Sequence, residues 1–200
     1  MREGDAIQIV DGQGGVYTAR ITKADTKKCL FEVTEKKGIE RRKCRVHIAI
    51  APTKNIDRTE WFVEKAVEIG IEKITFIQCK HSERKVINIE RIQKVAINAM
   101  KQSGQAWLPS AEGIVDFNAV VTAKEKEKFI AYVDSNNPLH LKDAYTKNSD
   151  YIVLIGPEGD FSQQELELAQ HNGFKKVSLG ANRLRTETAA LAACHILALQ

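Results

Sequence analysis

Two short segments toward the C-terminus, one carrying paired glycines and the other paired arginines, stand where a ligand, and at the second an anion, would bind. The first is Gly156-Pro157-Glu158-Gly159-Asp160-Phe161, directly after the apolar run Tyr151–Ile155. Such a run is expected of a central parallel strand buried on both faces, and ligands of open α/β sheets bind beyond the C-terminal strand ends. Two glycines let the backbone approach a ligand closely, while Pro157 limits the conformations of the loop. The second segment, Ala181-Asn182-Arg183-Leu184-Arg185, follows the strand-like Val177-Ser178-Leu179-Gly180 and leads into Thr186-Glu187-Thr188. Two arginines just before a helix N-terminus are unfavourable by roughly 0.3–1 kcal/mol each, which points to an anion brought to that place. Neither strand is followed by G-x-G-x-x-G or G-x-x-x-x-G-K-[ST], so a dinucleotide-binding or P-loop explanation lacks its phosphate cradle.

The elements that must position these loops follow from periodicity. Ser162 and Glu165 have the capping-box spacing that opens a helix. Thr186 can cap the terminal helix, whose sequence AALAACHILAL (189–199) is small and apolar nearly all round and so predicts burial. Upstream, KITFIQ (73–78), GIVDF (113–117), FIAYV (129–133), Tyr151–Ile155 and KKVSL (175–179) read as strands. Between them, TEWFVEKAVEI (59–69), with Asp57 and Glu60 as a capping box and Gly70 as its stop, reads as a helix. So do IERIQKVAINAMKQS (89–103), ended by Gly104, and the Asn118-capped NAVVTAKEKEK (118–128). The alternation predicts a parallel sheet with helices on both faces. Before it, DAIQIV (5–10), VYTARI (16–21), CLFEV (29–33) and RVHIAIA (45–51), broken by Gly12-Gln13-Gly14-Gly15 and other turn signals, predict a small β-barrel or sheet domain over residues 1–51. Pro52-Thr53-Lys54-Asn55 is the expected link to a second domain over residues 52–200.

Charge separates the same two regions. Residues 1–50 hold 11 Lys and Arg against 7 Asp and Glu, whereas residues 51–200 hold 19 against 19. Lys36, Lys37, Arg41, Arg42, Lys43 and Arg45 surround the single acid Glu40, a density suited either to nucleic-acid phosphates or to a solvated hairpin edge. No run of eighteen uncharged apolar residues is present, and no apolar segment follows the charged start, so neither a membrane span nor a secretory signal is expected. Cys29, Cys44, Cys79 and Cys194 form no C-x-x-C pair, and the five histidines form no metal-ligand pattern. Reduced thiols in a cytoplasmic protein without a metal are expected.

LIGPEGDF (154–161), followed by SLGANRLRTETAALAA (178–193), resembles the C-terminal signature of the RsmE group of SPOUT methyltransferases. EWFVEKAVEIGI (60–71), HSER (81–84) and MKQSGQAWLP (100–109) resemble that group's other marked stretches, in the same order. The resemblance implies S-adenosylmethionine-dependent methylation of N3 of a uridine in bacterial 16S ribosomal RNA, in the free RNA or the small subunit. It further implies a C-terminal trefoil knot, a homodimer and an N-terminal PUA-like RNA-binding barrel. Leu154, Ile155, Gly156, Pro157, Glu158 and Gly159 would form one wall of the cofactor site, and Leu179, Gly180, Leu184, Arg185 and Thr186 the rest. Arg185 is the candidate for stabilising a developing anion or an adjacent phosphate, and Glu187 for base or orienter. Lys65, with Glu68, and Arg84 join the six N-terminal cations as candidate RNA contacts, though Lys65 and Glu68 also suit the dimer or an exposed helical pair. This sequence departs from the group's pattern in Asp160, where a second glycine is usual, in Gln105, where arginine is common, and in beginning within the barrel, so that the PUA-like domain is expected to be incomplete. A non-catalytic RNA-binding protein would explain the basic segment but leave the glycine loops without a role. A nucleotide-dependent oxidoreductase or kinase would explain the α/β pattern but lacks the fingerprint.

Overall fold

The computed structural model describes residues 1–133 and 139–199. Three strands, β1 (Ala6–Val10), β2 (Gly15–Ala24) and β3 (Cys29–Gly38), form an antiparallel sheet in that order. The last of them is exposed along its whole length. Six further strands, β4 (Arg45–Ile50), β5 (Lys73–Gln78), β6 (Ser110–Asp116), β7 (Glu127–Ala131), β8 (Asp150–Ile155) and β9 (Lys175–Val177), form a parallel sheet in the order β6-β5-β4-β8-β7-β9. The expected α/β class with helices on both faces is found.

Strand alternation sorts the core. Val46, Ile48, Ile50, Tyr151, Val153 and Ile155 pack against α1 (Ile56–Ile69), α2 (Ile89–Ser103), α4 (Leu141–Ala144) and α6 (Thr186–Ala198). Ala49, Ala51, Ile152 and Leu154 face α3 (Phe117–Val120) and α5 (Gln163–His171) on the other side.

Several expectations are corrected. RVHIAIA, grouped above with the N-terminal strands, supplies β4, which pairs in parallel with both β5 and β8. From Val46 to Ile50 every residue is buried, His47 included, which is the pattern of a strand covered on both faces, not of a half-solvated hairpin. The helix expected over 118–128 is only the four residues of α3, capped by Asp116 rather than Asn118. Beyond it the chain carries Glu125 to the buried His47, whose Nδ1 lies 2.7 Å from Glu125 Oε1, and a continued helix would forgo that pair. Asn55 caps α1 in place of Asp57, and α6 begins after Arg185 without any side-chain cap, Thr186 being its first residue. The Ser162–Glu165 capping box and the glycine stops at Gly70 and Gly104 are as expected.

The two sheets are joined through the Gly12–Gly15 turn. Gly14 N donates to Ala106 O at 2.9 Å, Leu108 N donates to Gly12 O at 2.9 Å, and the Trp107 indole donates to Ile39 O at 2.9 Å. Gly14 has φ +94°, and a Cβ there would stand 2.4 Å from the Trp107 ring, so the junction admits only glycine.

Candidate functional site

At the C-terminal edge of the parallel sheet, the segments after β7, β8 and β9 meet the first turns of α1 and α6 around a cleft of about 870 Å³. That volume lies in the range of small-molecule and cofactor sites. Both glycine loops reach it. Ile155, Gly156, Pro157, Glu158, Leu179, Gly180, Leu184, Arg185 and Thr186, all expected at the cofactor site, line it. Leu154 and Gly159 do not. The first is fully buried toward α3 and α5, and Gly159 lies against the other side of its loop, where a Cβ would stand 3.1 Å from His81 Cβ.

The loop after β8 is held from several directions. Asp160 N donates to Pro157 O at 2.9 Å, closing a turn, and His81 Nδ1 stands 3.0 Å from Asp160 O. Glu158 Oε1 accepts from Lys54 N at 3.1 Å, which ties the loop after β4 to it. Asp160 has φ +62°, the left-handed region that glycine favours and aspartate tolerates better than most residues. The departure from a second glycine therefore leaves the turn intact and adds a carboxyl group to the cleft wall. Burial pushes that carboxyl above its usual range, against the Phe161 amide that hydrogen-bonds it.

Beyond β9, Ser178 Oγ bonds both the N–H and the carbonyl of Gly180 at 3.1 Å, and Gly180 has φ +138°. Gly180 has open space where a Cβ would stand, so a ligand can approach its backbone. With the apolar side chains of Ile155, Leu184 and Ala189 beside this uncrowded backbone, the cleft suits a flat, polar-edged ring such as a nucleoside.

Arg183 and Arg185 line the mouth, and Arg58, which the sequence reading overlooked, joins them from the first turn of α1. The signal was present: once β4 is recognised as a parallel strand, the helix after it must start at the same sheet edge as the glycine loops. Glu187 does not line the cleft. It is 7% exposed and faces Arg58, with Oε1 3.9 Å from Arg58 Nε.

None of the eight candidate RNA-contacting cations borders this cleft. Several are committed within the chain. Arg45 holds Asp150 through two hydrogen bonds of 3.0 and 2.9 Å, and Lys65 bridges Glu64 and Glu68. Arg84 clamps the loop after β4 by donating to the carbonyls of Thr53 and Lys54. Arg42 donates to Ile69 O at the end of α1, and Arg41 stacks 4.4 Å above the Trp107 ring. Lys36 lies 5.4 Å from the Tyr17 ring centroid on the N-terminal sheet, while Lys37 and Lys43 have no partner among the described residues. Among the described residues no helix is long and apolar enough to cross a membrane, and no cluster could hold a metal.

A family model described as an RNA methyltransferase domain matches residues 40–198, and one described as an RNA methyltransferase PUA domain matches residues 1–34. The ribosomal RNA small subunit methyltransferase E of Rickettsia conorii is 29% identical, over 96% of this chain and 80% of its own length. A Porphyromonas gingivalis protein, its crystal structure described as that of a probable rRNA-methyltransferase, superposes with a TM-score of 0.92 at 43% identity, over 97% of this chain and 84% of that one. The ribosomal RNA small subunit methyltransferase E of Neisseria gonorrhoeae, solved bound to S-adenosyl methionine, superposes with a TM-score of 0.88 at 26% identity, over 97% of this chain and 82% of that one.

Proposed function

From the premise that this chain belongs to the RNA methyltransferase family matched over residues 40–198, we propose that it methylates N3 of a uridine in the 16S RNA of the small ribosomal subunit, using S-adenosylmethionine. The observation that carries the reading is the cleft in which two strand-end loops present bare backbone beneath three arginines. S-adenosylmethionine, when bound, supplies an electrophilic methyl group on a sulfonium. Ile155, Gly156, Leu179, Gly180 and Leu184 would hold its nucleoside by backbone groups and apolar contact. Uridine N3 carries a weakly acidic proton that must leave as the new bond forms, so negative charge develops on the base. Arg185, fixed at the head of α6, presents a guanidinium to that charge or to the adjoining phosphate.

Lys36, Lys37, Arg41 and Lys43 on the N-terminal sheet and junction are the proposed grips on the RNA backbone. The homodimer is supported by an aromatic side chain left open on α1, Trp61, at 42% exposure. The trefoil knot is supported by the path after β9, which lies at the edge of the sheet, back to α6, which packs on α1 and on the central strands β4 and β8. A crystal structure of the dimer checks both.

Calorimetric titration should show S-adenosylmethionine binding, and digestion of treated small-subunit RNA should yield 3-methyluridine by mass spectrometry. A folded chain that binds neither S-adenosylmethionine nor its demethylated product would end this reading. Binding followed by methylation at another atom would end the N3 assignment alone.

A further inference from the structure

Arg58 and Glu187 are coupled across the heads of two helices. Arg58 lies in the first turn of α1, and its side chain is 41% exposed and lines the cleft. Glu187 lies in the first turn of α6 with a side chain only 9% exposed, and among the described residues it has no hydrogen-bond partner. Two sources of positive potential draw it, the N-terminal end of α6 and the Arg58 guanidinium 3.9 Å away. Glu187 thus stands behind the cleft wall and attracts one edge of the guanidinium. The remaining donors of Arg58 are left toward the cleft, where Arg183 and Arg185 already stand.

S-adenosylmethionine carries a sulfonium and an ammonium against one carboxylate, so a pocket built for it alone has no use for three guanidinium groups. We propose that Arg58 is a substrate-contacting residue that grips an oxyanion of the RNA, either a backbone phosphate or the uracil oxygen that gains charge at N3 deprotonation, and that Glu187 is its positioning residue. This rests on the methyl-transfer reading of the cleft.

The test uses the full chain with Arg58→Ala, Glu187→Gln and the double variant. Affinity for S-adenosylmethionine, affinity for small-subunit RNA against salt, and the single-turnover methylation rate at saturating RNA are measured on each. Arg58→Ala should leave cofactor affinity within about twofold and lower methylation at sub-saturating RNA by about a hundredfold. If the oxyanion is a phosphate, the loss appears in RNA affinity and the salt slope falls by about one contact. If it is the uracil oxygen, the loss appears in the rate at saturating RNA. Glu187→Gln should reproduce about a tenth of the loss in the same parameter, and the double variant should be no worse than Arg58→Ala, because a residue acting only through Arg58 has nothing left to position. A tenfold loss of cofactor affinity in Arg58→Ala would reassign it to the cofactor carboxylate and overturn the proposal, as would unchanged methylation or additive losses. A wild-type chain that binds no S-adenosylmethionine removes the methyl-transfer reading first, and this one with it.

Discussion

Replacing Gly156 by alanine tests whether the loop after β8 is a cofactor wall or merely a turn. An added Cβ would stand 3.1 Å from Cδ2 and Cε2 of Phe161 and 3.3 Å from its backbone nitrogen. The ring cannot withdraw freely, because it is 3% exposed and packs against Phe117 with centroids 5.6 Å apart. Forcing a methyl group into such a site costs about 1–3 kcal/mol. That cost divides between two places. If the ring gives way, it appears as lost folding stability; if the loop gives way, Gly156 and Pro157 shift into the cleft and it appears as lost cofactor affinity. At about 1.4 kcal/mol per tenfold, a cost falling wholly on the loop weakens S-adenosylmethionine binding by roughly 5- to 150-fold. Urea denaturation and calorimetric titration on the same preparations separate the two shares. Gly113→Ala on β6, where a Cβ meets nothing within 4 Å, is the control. Stability and affinity both unchanged in Gly156→Ala would refute the reasoning, since the methyl group must displace something that matters.

Three other outcomes are expected. Asp160→Asn keeps a residue that accepts φ +62° and removes a carboxyl whose pKa burial holds above the usual value; ionised Asp160 therefore opposes folding at neutral pH, and the variant should be more stable by less than about 1 kcal/mol after solvent screening, a gain that shrinks on acidification and is read by urea melts at pH 7 and pH 4. His47 stands between Thr75 Oγ1, 2.8 Å from its Nε2, and Glu125 Oε1, 2.7 Å from its Nδ1, and Thr75 Oγ1 in turn donates to Glu112 Oε2; His47→Leu should cost about 1–3 kcal/mol by stranding these partners. Although burial alone would raise Glu125, its bond to His47 holds the folded value below 4.5, so the stability it adds is present above that pH and lost as pH falls through the folded value; in His47→Leu this part of the acid destabilisation should vanish from pH-dependent melts. Neutralising Lys36, Lys37 and Lys43 should flatten the dependence of log RNA affinity on log salt by up to about 0.9 per lost phosphate contact, whereas Arg45→Ala, already paired with Asp150, should flatten it less; equal slopes in all variants would make the basic run a solvated edge.

The alternation of apolar strands and amphipathic helices was readable because it is local, and so were the strand-end glycine loops. What escaped was set by distant partners. RVHIAIA looks like one more strand in a β-rich stretch until its neighbours are known, and those neighbours, β5 and β8, lie far along the chain. NAVVTAKEKEK has helical composition throughout, yet the bond between Glu125 and His47, 78 residues apart, overrides it. Arg58 lacked any motif, since its place in the cleft follows from where β4 ends. The basic segment shows the opposite error. Composition counts six cations alike, whereas Arg42 is spent on the end of α1 and Arg45 on Asp150.

The junction at Gly14 makes the molecule a caliper. Backbone bonds from Gly14 to Ala106 and from Leu108 to Gly12, with the Trp107 indole held by Ile39, tie the N-terminal sheet to the parallel one at three points. On the proposed grip, RNA held by that sheet would be presented to the cleft at one span and one angle, and a base would be selected by how far it stands from the grip as much as by its own chemistry. Loosening the junction, as Gly14→Ala would by driving a methyl group into the Trp107 ring, should blur that measure and let neighbouring bases be modified while the cleft itself stays whole.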